Sequence, residues 1–316
     1  MKKVFIPQPV SRKGERYLEE KGYLIVRGSG MFDKESLKAD IADCDAMLLR
    51  TLKIDREILK AGKKLKIVAR HGAGYDNLDY MAAKELGIWA TFSPDTTSLS
   101  VAEFTIFSIL DCAKKQEECS EELKKGNFEY KFSNKGMDVA GKTLGIVGFG
   151  RIGSLVAKKA AYGLDMNILA YVPRQKGKVI PDYVHCVEWT ELFQKSDFIS
   201  IHVPGNKENQ GLVGEKEFAL MKKTAYLINV SRGGVMNETA FCRAVKTSQI
   251  AGGAIDVFET EPPDTDSPLF GLKHVILTPH IGSNTIECMD RIALDTAEDI
   301  HLVLSGQKPK HPIWQD

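Results

Sequence analysis

The segment Lys142-Thr143-Leu144-Gly145-Ile146-Val147-Gly148-Phe149-Gly150-Arg151-Ile152-Gly153 constrains the chain more than any other. An apolar run of strand length empties into Gly148-x-Gly150-x-x-Gly153, and a helix-length stretch follows to Gly163. In such a unit the first glycine permits a tight turn, the second lets a pyrophosphate approach the backbone, and the third lets helix and strand pack closely. The helix start then offers free N–H groups and a positive dipole end to the phosphates. Gly148, Gly150 and Gly153 are therefore candidate dinucleotide contacts.

An acidic residue roughly 20 positions further on normally receives the adenosine ribose hydroxyls. Here the next strand ends Ala170-Tyr171-Val172-Pro173-Arg174, and Val172 stands in the place of the acid. Without a carboxylate a 2′-phosphate is not repelled, and Arg174 is a candidate partner for one. The expected cofactor is NAD or NADP, with NAD favoured.

Strand-length apolar runs alternate with helix-length polar stretches along the whole chain, which implies parallel sheets covered on both faces. Lys3 to Ile6, Tyr23 to Val26, Ala46 to Leu49, Lys66 to Ala69 and Ile88 to Ala90 form a first set. Asn167 to Val172, Phe198 to His202, Ala225 to Asn229, Gly253 to Val257 and His274 to Leu277 extend the second. Between them Ser100-x-x-Glu103 reads as a capping box opening a bridging helix that carries Phe104, Phe107, Ile109 and Leu110. An amphipathic stretch from Thr285 to Leu304 ends at Gly306, a helix stop. A length of 316 residues suits two domains.

Lys and Arg number 43 against 42 Asp and Glu, so no global field draws nucleic acid or an anionic membrane. The six cysteines show no C-x-x-C pair or zinc spacing, which predicts reduced thiols and no metal site. No run approaches the roughly 20 apolar residues of a membrane span, and the N-terminal apolar run is too short for a signal peptide. The expectation is a soluble cytoplasmic protein acting on a small molecule.

Three segments past the glycine turn each follow an apolar strand: Asn229-Val230-Ser231-Arg232-Gly233-Gly234, Asp256-Val257-Phe258-Glu259-Thr260-Glu261-Pro262-Pro263, and Thr278-Pro279-His280-Ile281-Gly282. Ligands of open α/β sheets bind at the carboxyl ends of the strands, so the three can converge on one crevice. On these residues the chain resembles, from end to end, the D-isomer-specific 2-hydroxyacid dehydrogenases.

The resemblance implies a Rossmann nucleotide domain of residues 99–283 inserted into a flavodoxin-like substrate domain of residues 1–98 and 284–316, each a doubly wound parallel sheet, with substrate between them. The family's catalytic Arg, Glu and His carry over onto Arg232, Glu261 and His280. Elementary chemistry agrees. A planar guanidinium at Arg232 can hold a 2-oxo acid's carboxylate and polarise its carbonyl. Hydride transfer builds negative charge on the carbonyl oxygen, and His280 is the proton donor because imidazole titrates near neutrality. Glu261 would orient that ring and favour its protonated form. Arg151, Ile152, Val203, Pro204, Val230, Asp256 and Gly282 are implied to line the cofactor site, with Asp256 at the nicotinamide carboxamide.

Arg70-His71-Gly72-Ala73-Gly74-Tyr75-Asp76 resembles the family's glycine loop, whose backbone N–H groups face the substrate carboxylate. His71, Gly72, Ala73 and Gly74 are thus candidate substrate contacts, His71 as pocket wall rather than acid or base. Leu48-Leu49-Arg50-Thr51 is similar to a segment of 3-phosphoglycerate dehydrogenases in which an arginine faces the pocket, which offers Arg50 to a substrate phosphate. The implied function is hydride transfer at C2 of a 2-hydroxy or 2-oxo acid, leaning to D-3-phosphoglycerate. The alternatives are an NADPH-preferring glyoxylate or hydroxypyruvate reductase and, from another class, a dinucleotide-sensing corepressor-like binding protein. Family members usually dimerise through the nucleotide domain, so a homodimer is implied, with the helix from Ser100 contributing.

Overall fold

A computed structural model describes residues 1–173 and 179–314. Arg174, offered above to a 2′-phosphate, lies outside the described residues. The chain divides into two compact units, Met1–Thr97 with Ser283–Asp316, and Ser98–Gly282.

The first unit runs β1 (Lys3–Phe5), α1 (Arg12–Glu20), β2 (Leu24–Val26), α2 (Lys34–Ile41), β3 (Ala46–Leu49), α3 (Arg56–Ala61), β4 (Ile67–Arg70), α4 (Tyr80–Glu85) and β5 (Trp89–Thr91). Its strands pair in parallel in the order β2-β1-β3-β4-β5, the flavodoxin-like order. Each helix starts where a short polar side chain takes up an orphan N–H: Ser11, Asp33, Asp55 and Asp79 cap α1 to α4. The period-two pattern sends Val4, Ala46, Leu48, Ile67 and Ala69 to one core layer. Phe5, Met47, Leu49, Val68 and Ala90 go to the opposite layer. The winding direction reverses between β1 and β3, so Gln8 and Arg50 stand at the strand ends where such sheets place ligands.

The second unit continues with α5 (Ser98–Lys114), α6 (Gln116–Lys124), α7 (Tyr130–Ser133), β6 (Thr143–Val147), α8 (Arg151–Leu164), β7 (Asn167–Tyr171), β8 (Val184–Cys186), α9 (Trp189–Lys195), β9 (Phe198–Ile201), α10 (Glu215–Leu220), β10 (Tyr226–Asn229), α11 (Glu238–Lys246), β11 (Gly252–Ile255) and β12 (Val275–Leu277). The strand order is β8-β7-β6-β9-β10-β11-β12, all parallel: the dinucleotide-binding order with a seventh strand added. It reverses between β6 and β9. Two apolar layers cover the sheet's faces, one including Leu144, Ile146 and Phe198, the other Val147, Ile199 and Phe241.

Helix α5 corrects one expectation. It begins at Ser98, so Ser100 lies buried in its first turn, and Glu103 is paired with Lys159 Nζ on α8 at 3.3 Å instead of closing a capping box. β8 was not expected, because only Val184 of its three residues is buried and the sequence shows no alternation there. The chain then returns to the first unit through α12 (Ile286–Leu304), capped by Thr285 and stopped at Gly306 with φ +87°. All six cysteines are free thiols. Among the described residues no helix is long and apolar enough to cross a membrane, and no group of three or more His, Cys, Asp or Glu is placed to hold a metal.

Candidate active site

β6 delivers the glycine turn to the reversal point of the second sheet. Gly148 has φ +97°, and a Cβ there would stand 2.7 Å from the carbonyl oxygen of His202 and 2.7 Å from Cγ1 of Val203, just past β9. A Cβ on Gly153 would overlap the Gly148 carbonyl oxygen, so only glycine lets α8 settle onto the turn. Gly150 is different: nothing lies within 4 Å of its added Cβ, and as N-cap of α8 it supplies no side-chain hydrogen bond. The turn is therefore tight on its protein side and open beyond the helix start, where Arg151 and Ile152 begin α8. These features fit the pyrophosphate of a dinucleotide. Val172, in the place of the expected acid, is 5% exposed and packs into the sheet's core.

The catalytic candidates emerge from the ends of β10, β11 and β12. Arg232 is shaped by Asn229, fully buried at the end of β10. The Asn229 amide donates from Nδ2 to the Arg232 carbonyl at 3.1 Å, and its Oδ1 accepts from Ser231 N at 3.1 Å and Ser231 Oγ at 2.9 Å. The Arg232 guanidinium donates to the Ser231 carbonyl at 2.8 Å. Sequence reading passed over Asn229, since a polar residue at a strand end does not reveal that its side chain ties down the following loop.

Past β11, Glu261 accepts from the Phe258 N–H at 3.2 Å, and its Oε2 lies 2.8 Å from Nδ1 of His280. Glu261 and His280 thus meet directly, and Arg232 is close enough for its charge to act on Glu261. Burial pushes the Glu261 carboxyl up, but the hydrogen bond and charge of His280, the Phe258 N–H and the Arg232 charge outweigh it and hold the group below the usual carboxylate range. A carboxyl lowered on folding contributes stability above its unfolded pKa of about 4.3 and loses it as pH falls through the folded value. Glu261→Gln removes that contribution. The expected melting-temperature deficit of the variant, roughly 1 to 3 °C near neutrality because the pair is partly exposed, shrinks toward zero below about pH 4. Scanning calorimetry of both proteins from about pH 3 to 7 checks it, and a deficit that grows toward acid pH contradicts it.

His280 has φ +53°, a left-handed conformation in which a non-glycine residue costs about 1–3 kcal/mol. Asp256 holds it there. That residue is 2% exposed, and its carboxylate accepts from Thr278 Oγ1 at 2.7 Å, Ile281 N at 2.8 Å and Gly282 N at 2.8 Å. These bonds employ Asp256 as the anchor of the His280 loop, a role that resemblance alone did not suggest.

In the first unit, Arg50 donates Nη1 to the Pro9 carbonyl at 2.9 Å, while Asn77 Nδ2 donates to the Arg50 carbonyl at 3.2 Å. Next to it on the sheet, Arg70 hydrogen-bonds the His71 carbonyl. Gly72 has φ +133°, and an added Cβ would collide with the Arg70 guanidinium, so Arg70 lies across the glycine loop of Gly72, Ala73 and Gly74. Sequence reading treated Arg70 only as part of that motif. Burial, with the charges of Arg50 and Arg70 added, pushes His71 down to about 3. It is 4% exposed and neutral at physiological pH, which suits a pocket wall and not a proton donor.

The sequence profile described as D-isomer specific 2-hydroxyacid dehydrogenase, NAD binding domain, matches residues 106–282, more than half of the chain. The chain is 36% identical to a D-3-phosphoglycerate dehydrogenase of Archaeoglobus fulgidus, over 98% of this chain and 59% of that protein. It therefore spans well under two thirds of that relative's length. It is also 36% identical to a hydroxypyruvate reductase of Thermotoga maritima, over 94% of this chain and 97% of that one. The crystal structure of the TT0316 protein from Thermus thermophilus matches with a TM-score of 0.92 at 28% identity, covering 99% of this chain and 100% of the other. With the dinucleotide turn, the joined Glu261 and His280 and the adjacent Arg232 in one sheet, these likenesses lead to one conclusion: the chain belongs to the D-isomer-specific 2-hydroxyacid dehydrogenase family.

Proposed function

We propose that the protein interconverts a 2-oxo acid and its D-2-hydroxy acid with a nicotinamide cofactor. The observation that carries this reading is the 2.8 Å contact of Glu261 with Nδ1 of His280, beside Arg232, at the strand ends of the sheet that also carries the glycine turn. The cofactor, when bound, supplies or accepts the hydride. Gly148, Gly150, Arg151, Ile152 and Gly153 hold its pyrophosphate, and Val203, Pro204, Val230 and Gly282 line the same strand ends. Arg232 binds the substrate carboxylate through two parallel N–H donors and polarises the carbonyl. Because Glu261 engages Nδ1, Nε2 is the ring nitrogen left to give a proton to the carbonyl oxygen as charge develops there. Glu261 stays anionic and fixes the ring.

For the substrate, the leading reading is the pair 3-phosphoglycerate and 3-phosphohydroxypyruvate. Arg50 stands at the reversal point of its sheet with Arg70 one strand away, and two guanidiniums suit a phosphate. A second reading, reduction of hydroxypyruvate or glyoxylate with NADPH, rests on Val172, which leaves no carboxylate to repel a 2′-phosphate. The test is nicotinamide absorbance during reduction of phosphohydroxypyruvate, hydroxypyruvate, glyoxylate and pyruvate, each with NADH and NADPH. The expected result is highest kcat/KM with phosphohydroxypyruvate and NADH, lost by at least about tenfold in Arg50→Ala. A preference for a short oxo acid with NADPH favours the second reading, and no turnover with any pair rejects both.

A further inference from the structure

We infer that Gly205 is a positioning residue for Arg232: the bare backbone after Pro204 is the floor on which the arginine's methylenes lie, and it sets where the guanidinium stands. A Cβ on Gly205 would come 2.7 Å from Cγ, 3.0 Å from Cβ and 3.5 Å from Cδ of Arg232, and these are its three nearest neighbours. Ordinary carbon contacts lie at about 3.5–4.0 Å, so the first two are overlaps. They fall on the stem of Arg232 next to the main chain: Cβ is fixed by the backbone, and Cγ can move only by turning about the Cα–Cβ bond, which takes the whole guanidinium with it.

The two backbones cannot separate to relieve the overlap. Gly211 N donates to the Gly234 carbonyl at 2.8 Å and Val213 N to the Val235 carbonyl at 3.0 Å, lacing the segment after Gly205 to the segment after Arg232. Asn209 Nδ2 holds the Pro204 carbonyl at 2.9 Å. On the other wall, Asn229 Nδ2 and Val235 N both donate to the Arg232 carbonyl, at 3.1 Å and 3.2 Å. A methyl group at 205 is therefore accommodated chiefly by turning Arg232 about its Cα–Cβ bond, which takes Cγ out of the closest overlap and carries the guanidinium to another rotamer, while the 3.0 Å contact with Cβ needs a shift of only a few tenths of an ångström. Gly205 itself is outside the positive-φ region, so alanine fits its backbone without strain.

The inference rests on the reading of Arg232 as the carboxylate ligand, and the experiment separates the two. Gly205→Ala, Arg232→Ala and the double variant are compared by steady-state kinetics on the best 2-oxo acid, by cofactor titration, and by the arginine Nε–Hε NMR signal of the cofactor-free protein. In Gly205→Ala the Arg232 signal is expected to shift, KM for the oxo acid to rise at least about tenfold, and the cofactor Kd and Tm to stay close to the parent's. In the Arg232→Ala background the same change has no further kinetic effect, because it acts only through that side chain. An unmoved Arg232 signal with unchanged KM, or an equal loss in both backgrounds, overturns the role of Gly205. Near-normal turnover in Arg232→Ala instead overturns the carboxylate reading, whatever Gly205 does to the NMR signal.

Discussion

Arg232→Ala is expected to lower kcat/KM for the 2-oxo acid by about 10²- to 10⁴-fold while cofactor affinity stays within about twofold. The size follows from two jobs lost together. On the proposed role, the substrate carboxylate without the guanidinium has no bidentate partner to fix the carbonyl carbon, and the developing oxyanion loses a nearby positive charge. The loop itself should persist, because Asn229 anchors the Arg232 carbonyl and Ser231 through bonds that do not involve the arginine side chain. Arg232→Lys restores charge without the planar fork and should recover only part of the loss. Kinetics with varied oxo acid and separate cofactor binding measure both halves. Turnover within a few-fold of the parent contradicts the assignment.

Asp256→Asn is expected to be the most damaging conservative change in the molecule. The carboxylate serves three donors while 2% exposed. An asparagine offers one oxygen and one NH₂, so whichever way it turns, at least one donor from Thr278, Ile281 or Gly282 faces another donor with no water to accept it. Loss of charge-assisted bonds and a stranded buried N–H cost about 2–4 kcal/mol, or roughly 5–12 °C in Tm for a unit of this size. Activity should fall further than stability explains. His280 occupies its left-handed conformation because the next two residues are pinned to Asp256, and once unpinned it relaxes away from Glu261. Calorimetry and kcat well below the transition test the two effects separately. A Tm within about 2 °C of the parent and unaltered kcat would remove Asp256 from this role.

The acid side of the site shows where sequence reading ran short. Asp256 was legible as a candidate position from the family pattern, but its bonds to Ile281 and Gly282 join the segments that follow two different strands, and no spacing rule expresses them. Asn229 and Gly205 were passed over for a related reason. One acts through an amide turned back onto its own loop, and the other acts by having no side chain at all where Arg232 approaches. The capping-box reading at Ser100 failed because that motif is common, and burial of the serine, invisible in the sequence, moved the helix start to Ser98.

By itself the sequence determined the class of fold and the glycine turn, and it offered Arg232, Glu261 and His280 as the catalytic candidates. Those signals are local: alternation of strand- and helix-length runs, glycines where a turn meets a helix, and polar residues immediately after buried strands. Only the tertiary structure decided that β6 lies beside β9, that Glu261 reaches Nδ1 of His280, that Asp256 faces inward to hold the His280 loop, and that Arg232 rests on Gly205. Parallel strands are joined by crossovers, so the residues that meet at their ends are far apart in the chain, and their atomic contacts depend on strand order and register that no local pattern encodes.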